Sequence, residues 1–516
     1  MSKKIFSCFF LTVLAAVLAF AQDLKLPSIF SRDMMLQAGK DTAVFGFAAP
    51  GAEVQVVFDG NTKASARAQA DESGRWLARL PELVLGDSGE LKISSGGQTK
   101  VIENVLIGEL WLCAGQSNMD RTVNDANVPQ KMRERAAQEA QAVDGKIRQF
   151  RSLKVSRQQP QDDVGGQWMV IDAQNVGKCS AVAWNFGQRI FEETKQPVGL
   201  VNVAWGGTPI ESWLPREFLD KSALGATVWQ RHEEEMKKLP ERKEQYKQAM
   251  EAFNQKYTSD QERKKHRAKV PRTPYDEKHS HAPTGIFNAM VYPIINYTFR
   301  GMIWYQGESN AARPQEYGTL ACAMVEGYRS LSGQKLPFYY VELANFKEPQ
   351  TQPSEGGWAL LREGQQAVLK LPDTGVATAI DVGMADDIHP IDKKTTGHRL
   401  AGLALQDIYG KPIQSRSPQY ADSKITGDTV FIKFDNAGGL RSRTDKIGGF
   451  AVSDGEQWLW ADDVKILDGG VLAVRSTQIK KPVAVRYAWA DNPVISLENK
   501  EGLPLRPFRT DTNSER

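Results

Sequence analysis

The chain is poor in cysteine, and this shortage excludes several kinds of small, cross-linked protein. Its 516 residues include four cysteines. Cys8 lies near the N-terminus, whereas Cys113, Cys179 and Cys322 are far apart in the chain. Such spacing forms neither a disulfide framework nor the closely spaced ligand pairs of a zinc site. It leaves a single Cys179–Cys322 bridge open and predicts no metal.

The chain also has no large excess of basic or of acidic residues. The 65 basic and 62 acidic residues give a formal net charge of +3, so no nucleic acid or charged membrane surface is indicated as a partner. Hydrophobic residues make up 41% and charged residues 25% of the chain, as is usual for a soluble globular protein. The length is sufficient for two or three domains, each with its own core.

Long apolar runs are absent except for one stretch near the N-terminus. Lys3 and Lys4 precede an apolar run over residues 9–20, and Ala19-Phe20-Ala21 fits the small-x-small pattern of a cleavage site. The run is too short to span a membrane. Residues 1–21 are therefore predicted to be a cleaved signal peptide, which places the mature protein in the periplasm or outside the cell.

Changes in pattern divide the rest of the chain. Residues 22–104 contain short apolar runs separated by turn signals, which predicts a small N-terminal β-sandwich module. In residues 105–412, apolar strands alternate with helical stretches, which predicts an α/β domain with a parallel sheet covered by helices on both faces. Within it, the highly charged segment 221–272 predicts an inserted helical hairpin, either a solvated excursion or a lid. Residues 413–516 return to strands and predict a second β-sandwich module.

A serine lies directly after the first strand of the predicted α/β domain. The apolar stretch 105–114 is followed by Gly115-Gln116-Ser117-Asn118-Met119. A small-residue turn at the end of a buried strand exposes one side chain at the rim of a sheet. A serine hydroxyl there can attack an ester carbonyl once a base accepts its proton. We therefore take Ser117 as the candidate nucleophile.

The base is expected among six histidines, and one of them has the right surroundings. His389 follows the apolar strand 376–380, within Asp386-Asp387-Ile388-His389-Pro390. An acidic residue three positions earlier, Asp386, can turn back and accept the imidazole N–H, which fixes the tautomer and stabilises the imidazolium. The other histidines are interpreted as residues of the insertion, of a polar loop at His279 and His281, or of a helix.

An esterase also needs hydrogen-bond donors for the developing oxyanion. The backbone N–H of Ser117 is one candidate. Gly206-Gly207 follows another predicted strand and can present a second backbone N–H, because glycine allows close approach of the chain. A side-chain amide of Gln306 or Asn310, after a third strand, is the remaining candidate.

Four blocks of the sequence resemble a known family. They are Gly115-Gln116-Ser117-Asn118-Met119, Trp205-Gly206-Gly207-Thr208, Trp304-Tyr305-Gln306-Gly307-Glu308-Ser309-Asn310 and Asp387-Ile388-His389-Pro390. These blocks are similar to the signature blocks of sialate O-acetylesterases, which belong to the SGNH (GDSL-like) hydrolases. Further similarity near both ends extends the resemblance over nearly the whole mature chain.

The resemblance implies a fold and a reaction. The fold would be a flavodoxin-like, three-layer SGNH hydrolase domain with flanking β modules. The reaction would be removal of acetyl groups from sugars, with no metal or other cofactor. Ser117 would be the nucleophile, His389 the base, and Gly207 with an amide of Gln306 or Asn310 the oxyanion donors. Gln116 occupies the position where the wider superfamily has an aspartate. Glutamine at this position is the pattern of the sialate esterase branch.

The acid that supports the histidine is the least determined member of the predicted site. The superfamily pattern places it three residues before His389, at Asp386, and we predict this residue. Glu308, in the Gln-Gly-Glu motif, is the second choice, and the family block itself emphasises Asp387.

Two alternatives remain open at this point. The same residues would serve an acetyl xylan or other hemicellulose acetylesterase, because they act on the acetyl group. A secreted, non-catalytic carbohydrate-binding protein is the alternative from another class. Trp205, Trp213 and Trp304 could stack on sugar faces, although core packing is their default role, and Arg313 could bind a sialate carboxylate.

Overall fold

The protein is described by a computed structural model over residues 23–511, so the predicted signal peptide lies outside the described residues. Seven strands come first in the chain. They are β1 (Met35–Gln37), β2 (Thr42–Phe47), β3 (Glu53–Gly60), β4 (Lys63–Gln69), β5 (Arg75–Leu80), β6 (Ser88–Ser95) and β7 (Gln98–Gly115).

The middle of the chain alternates helices and strands, as the sequence predicts. The first half contains α1 (Ser117–Asp120), α2 (Gln130–Ala142), β8 (Ile147–Ser152), β9 (Gly166–Val170), α3 (Ala181–Thr194), β10 (Val198–Ala204), α4 (Arg216–Lys221), α5 (Gly225–Lys237), α6 (Leu239–Lys256) and α7 (Asp260–Lys265). The second half contains β11 (Gly301–Tyr305), α8 (Pro314–Ser332), β12 (Phe338–Glu342), α9 (Gly357–Gln366), β13 (Thr374–Thr378) and α10 (Lys393–Asp407).

One large mixed sheet organises these elements. Its main order is β13-β12-β11-β7-β10-β8-β9, and all of these strands are parallel except β9 at the edge. The central strands β7, β10, β11 and β12 are almost wholly buried where they pair. Burial on both faces accounts for their near-continuous apolar sequences.

Helices cover both faces of this sheet. Trp111 in β7 packs edge-on against Phe186 of α3 at 4.8 Å, whereas Trp304 in β11 donates to the hydroxyl of Tyr317 on α8. The register pairs Trp111 with Gly301, three residues before Trp304. Because successive side chains of a strand alternate between faces, the two tryptophans point to opposite sides.

The predicted boundary at residue 104 falls inside a strand. Strand β7 begins at Gln98 and pairs antiparallel with β6 before it enters the central sheet beside β10 and β11. Its first eight residues are mostly exposed, and their polar character conceals the strand in the sequence. One strand thus belongs both to the N-terminal strands and to the sheet that carries the candidate site.

The charged insertion is helical. Helices α5, α6 and α7 lie between residues 225 and 265. Phe253 is the buried residue of α6, and none of α7 is buried. Most of this segment is therefore solvated, in line with its composition.

The last part of the chain consists of short strands around a second hydrophobic core. They are β14 (Gln419–Thr426), β15 (Thr429–Asp435), β16 (Arg441–Ser442), β17 (Phe450–Ser453), β18 (Trp458–Trp460), β19 (Asp463–Ile466), β20 (Leu472–Arg475), β21 (Ala484–Tyr487), β22 (Leu497–Glu498) and β23 (Phe508–Arg509). They form two four-stranded sheets and one two-stranded sheet, with antiparallel pairing.

Two sequence-based questions are answered by the described residues. Cys113, Cys179 and Cys322 are all free thiols, so the Cys179–Cys322 bridge that the spacing left open is not formed. Between residues 23 and 511, no helix has the length and apolar character that crossing a membrane would require.

Candidate active site

The register of three neighbouring strands brings the predicted site residues to one rim. Ala204 at the end of β10 and Tyr305 at the end of β11 both pair with Gly115 at the end of β7. The carboxyl ends of these strands are therefore level. The turn at Ser117, the loop at Gly206-Gly207 and the block that begins at Gln306 leave the sheet together, as expected for a site in a parallel sheet.

The turn that presents Ser117 depends on a glycine. Gly115 has φ +137°, and a Cβ there would lie 2.1 Å from the carbonyl oxygen of Tyr305. Only glycine tolerates both the backbone conformation and this contact. The N–H of Gln116 then donates to the same carbonyl at 2.9 Å, and Ser117 begins the four-residue helix α1, half-buried at the rim.

Ser117, His389 and Asp387 form a continuous hydrogen-bonded chain. The Nε2 atom of His389 lies 3.0 Å from Oγ of Ser117. Its Nδ1 atom lies 3.0 Å from Oδ1 of Asp387. The histidine comes from the loop between β13 and α10, so residues 272 positions apart in the chain meet at hydrogen-bonding distance.

The acidic residue in this chain is Asp387 and not the predicted Asp386. Oδ1 of Asp387 accepts from the backbone N–H of His389 at 2.9 Å as well as facing the imidazole, and Asn127 donates to its other oxygen at 3.0 Å. These bonds form a tight Asx-type turn over two residues. Asp386 is exposed to solvent, and no hydrogen bond of the described residues joins it to His389.

Only one tautomer of the His389 imidazole allows it to act as the base for Ser117. If Nε2 is to accept the serine proton, the ring must carry its hydrogen on Nδ1 and donate it to Asp387. Nη2 of Arg121 also lies 3.0 Å from Nδ1, and it can donate there only in the opposite tautomer. Burial, and next the charge of Arg121, lower the pKa of His389, whereas Asp387 raises it.

The Gly206-Gly207 loop lies against the serine. A Cβ on Gly206 would approach Cβ of Ser117 to 3.2 Å. Gly207 has φ +78°, and a Cβ there would meet nothing within 4 Å, so open space lies above this residue. Among the described residues, the backbone N–H groups of Ser117 and Gly207 donate to no other protein group, which leaves both available to a ligand.

Gln306 and Asn310, the predicted side-chain donors, are already engaged in the protein. Both are completely buried. Nε2 of Gln306 donates to Oδ1 of Asn310 at 2.8 Å and to the carbonyl of Thr208 at 3.2 Å. Asn310 in turn accepts from the N–H of Ile210 and donates to Glu211, each at 2.9 Å. The two amides therefore support the loop that contains Gly207.

Gln116 also makes a supporting contact. Its Oε1 atom accepts from the backbone N–H groups of Gly307 and Ser309 at 3.5 and 3.3 Å. The side chain therefore joins the serine turn to the end of β11.

A buried polar network that the sequence did not reveal lies beneath the serine and the histidine. The amide nitrogen of Asn118 donates to the carboxylate of Glu308. It also donates to the backbone carbonyl of Ile388 at 3.2 Å. The amide oxygen of Asn118 accepts from the ammonium group of Lys393. Burial raises the pKa of Glu308 and lowers that of Lys393 to about 7. Glu308 therefore contacts Asn118 and makes no hydrogen bond to His389 among the described residues.

The residues of this network are visible in the sequence, but the sequence gives no reason to connect them. Asn118 and Glu308 belong to the blocks that carry the family resemblance, and Lys393 is four residues after His389. Nothing in the sequence says that the side chains of Glu308 and Lys393 and the backbone carbonyl of Ile388 all bond to the amide of Asn118. The network ties the serine turn to the histidine loop through Asn118.

The other residues considered for sugar or carboxylate binding have structural roles. Trp213 and Trp304 are buried and stack edge-to-face at 5.4 Å, which is their default role. Arg313 is held by Glu211 at 2.6 Å. Trp205 is half-buried. Within residues 23–511, no group of three or more His, Cys, Asp or Glu side chains is arranged to hold a metal ion.

Comparison with protein families identifies the family of the chain. A family described as carbohydrate esterase, sialic acid-specific acetylesterase, matches residues 107–266 and 281–406, more than half of the chain. The chain belongs to this family. The predicted resemblance is thereby confirmed, and the protein is a carboxylic ester hydrolase that removes acetyl groups from carbohydrate.

Individual relatives agree with this family. The sialate O-acetylesterase of Rattus norvegicus is 27% identical over 510 residues, covering 91% of this chain and 90% of the relative. The human sialate O-acetylesterase is 28% identical over 431 residues, covering 75% and 71%. The crystal structure of a carbohydrate acetylesterase from Xanthomonas citri superposes with a TM-score of 0.77 at 31% identity, covering 95% of this chain and all of that chain.

Proposed function

We propose that this carbohydrate esterase acts on O-acetylated sialic acids by two-step acyl transfer at Ser117. The observation that carries the mechanism is the chain from Ser117 Oγ to His389 Nε2 and from His389 Nδ1 to Asp387, with 3.0 Å at each step. A serine is a weak nucleophile by itself, and a histidine oriented by a carboxylate is the usual means of activating it.

In the first step, Oγ of Ser117 attacks the acetyl carbonyl carbon while His389 takes the hydroxyl proton. The resulting imidazolium is stabilised by the Asp387 carboxylate. The tetrahedral intermediate then collapses as His389 returns the proton to the departing sugar oxygen. The products of this half-reaction are the free sugar hydroxyl and an acetyl group on Ser117.

In the second step, His389 takes a proton from water, and the hydroxide attacks the acetyl-serine. Collapse of the second intermediate expels Oγ of Ser117, which recovers its proton from His389. Acetate is released, and the enzyme returns to its starting state. One water is consumed per ester bond, and no redox partner is required.

The negative oxygen of both intermediates requires donors, and two backbone groups are suited to this role. The N–H groups of Ser117 and Gly207 have no protein acceptor in the described part of the chain, and open space lies above Gly207. Backbone donors in a rigid loop need no reorganisation during the reaction. Gln306 and Asn310 would act indirectly, because they hold the loop that contains Gly207.

The fold supports assignment to the SGNH-type hydrolases, with a three-layer, flavodoxin-like catalytic domain. The strand order places β7, the strand that carries the serine, between β10 and β11, and helices cover both faces. We propose residues 105–412 as the catalytic domain between an N-terminal β module at 22–104 and a C-terminal β module at 413–516. Because β7 crosses the first boundary, the N-terminal module would not separate as a free unit.

The proposed sugar rests on the two mammalian relatives, both named sialate O-acetylesterase. The test is release of acetate from 9-O-acetylated sialic acid beside acetylated xylo-oligosaccharides, at matched ester concentrations. We expect the higher kcat/KM on the sialic acid. Higher activity on the xylo-oligosaccharides would keep the mechanism and replace the substrate by a hemicellulose. The predicted export segment agrees with action on glycans in the periplasm or outside the cell.

The charge of Arg121 predicts a change in pH dependence. His389 acts as a base in its neutral form, so activity rises with pH through its pKa. Arg121 lowers this pKa, so Arg121→Gln should raise it and move the acidic limb of the kcat/KM profile to higher pH. The matched control is Arg135→Gln, which removes an equal charge from α2, where Arg135 pairs with Glu139. An acidic limb that stays in place or moves to lower pH would contradict this electrostatic role.

A further inference from the structure

A row of five aromatic and imidazole rings connects the charged insertion to the candidate active site. It starts on α5 and continues through the loop before β11. Successive ring centroids are 5.8, 5.7, 5.1 and 4.8 Å apart. In order, the rings belong to Trp229, His232, Tyr275, His279 and His281, and we call the last three the ring wall.

The ring wall ends at the loop proposed to hold the oxyanion. His281 is exposed to solvent and lies three residues before Thr284, whose backbone N–H donates at 2.9 Å to the carbonyl of Glu211, in the loop that follows Gly207. The space above Gly207 is open. A group attached to an acetyl ester whose carbonyl faces the N–H of Gly207 would therefore have the ring wall beside it.

Hydrogen bonds hold the segment that carries the ring wall in place. Ser156 donates to the carbonyl of His279 at 3.0 Å, and the backbone N–H of Thr284 donates to the carbonyl of Glu211 at 2.9 Å. The hydroxyl of Tyr275 lies 2.7 Å from Nδ1 of His232. A wall anchored on both sides would bind a ligand without an ordering cost for the loop.

The chemistry of the wall suits the hydroxyl-bearing ring of a sugar. Partial burial lowers the pKa values of His279 and His281, which favours the neutral form of both imidazoles. A neutral imidazole presents an apolar face together with one hydrogen-bond donor and one acceptor. The C–H face of a pyranose can lie on such a ring while its hydroxyls reach the nitrogen atoms.

Two of the three wall residues lie outside the matched family blocks. The family match stops at residue 266 and resumes at 281, so Tyr275 and His279 lie in the gap between the blocks. Residues in such a gap are suited to select the substrate, because the reaction itself is carried by residues within the blocks.

We propose that Tyr275, His279 and His281 form a binding subsite for the ring of the sugar whose acetyl ester is cleaved. The inference rests on the proposed function, since it requires a sugar ester to be cleaved at Ser117. It gives the insertion a role in substrate binding: α5 supports the wall through the contact of His232 with Tyr275.

The test compares two esters that differ in their alcohol. Acetate release is measured from an O-acetylated pyranose and from ethyl acetate, whose alcohol is too small to cover the wall. For His281→Ala we expect the ratio of the two kcat/KM values, sugar over ethyl acetate, to fall about tenfold, mainly through a higher KM for the sugar; this is the order of one aromatic contact. His281→Phe, which keeps a ring, should retain most of the ratio.

The matched control is His266→Ala. His266 is also a histidine of the insertion, but its ring packs at a tilt against Tyr257, with centroids 4.4 Å apart, outside the row, so both rates should stay at wild-type values. An unchanged ratio in His281→Ala would overturn the subsite and leave the proposed function intact. If the wild-type enzyme cleaves ethyl acetate but no acetylated sugar, the proposed function itself fails. Thermal unfolding of each variant, monitored by circular dichroism, identifies any loss of fold.

Discussion

Replacement of Ser117 by alanine is expected to lower kcat for acetate release by about 10⁴-fold or more, to a level near the uncatalysed background. The change removes the Oγ atom that lies 3.0 Å from His389 Nε2, and within residues 23–511 no other hydroxyl is hydrogen-bonded to that nitrogen. The fold should be retained, because Oγ makes no hydrogen bond other than the one to His389 among the described residues. Acetate release under steady-state conditions, together with the melting temperature, measures both effects.

Ser156→Ala is the matched control for this variant. Ser156 is a buried serine whose hydroxyl donates to the backbone of His279, so its loss tests removal of a serine hydroxyl without removal of the nucleophile. We expect it to retain most of the activity on a small ester. Near wild-type activity in Ser117→Ala would exclude the acyl-serine mechanism.

Asp387→Asn is expected to lower kcat by about 10³- to 10⁴-fold, whereas Asp386→Asn should stay within about twofold of the wild type. Asparagine keeps an oxygen that can accept from the backbone N–H of His389, so the turn is preserved. It cannot stabilise the imidazolium, and its amide favours the tautomer with the proton on Nε2. Since Asp387 raises the pKa of His389, the residual activity should also have its acidic limb at lower pH.

The two aspartates are adjacent, of the same type and on the same loop, so each variant controls for the other. A large loss in Asp386→Asn with little effect in Asp387→Asn would show that the loop rearranges on substrate binding and that the three-residue spacing of the superfamily applies after all. Equal, small effects in both variants would remove the carboxylate from the mechanism. Steady-state kinetics over a range of pH distinguishes these outcomes.

Local sequence patterns were sufficient to predict the position of residues that directly follow a strand. Ser117 and Gly207 each come within a few residues of a buried apolar strand, and parallel strands bring their carboxyl ends to one edge. The structure agrees with this expectation, because Gly115 pairs with both Ala204 and Tyr305 and the three strands end at the same level. His389 is farther from its strand, and the prediction for it depended on the neighbouring acidic residues as well.

The amides of Gln306 and Asn310 show that such patterns do not predict the hydrogen-bond partners of a side chain. Their position after β11 predicted that they lie at the rim, and they do. Their position could not show that Thr208, Ile210 and Glu211 would take up their hydrogen-bonding groups. A buried amide is satisfied by whatever partner the packing supplies, and those partners come from about 100 residues away in the chain.

By itself, the amino-acid sequence determined the α/β alternation of the central region and the family, and it predicted that the serine, the glycine loop and the histidine lie at one rim. These follow from strand periodicity and from motifs in which the reacting atom and its backbone support are close in sequence. Only the tertiary structure decided that Asp387 faces the imidazole, that Asn118 joins Glu308 to Lys393, and that a row of rings leads from α5 into the loop before β11. Each of these depends on the direction of a side chain in a loop, and that direction is set by contacts between residues distant in the chain.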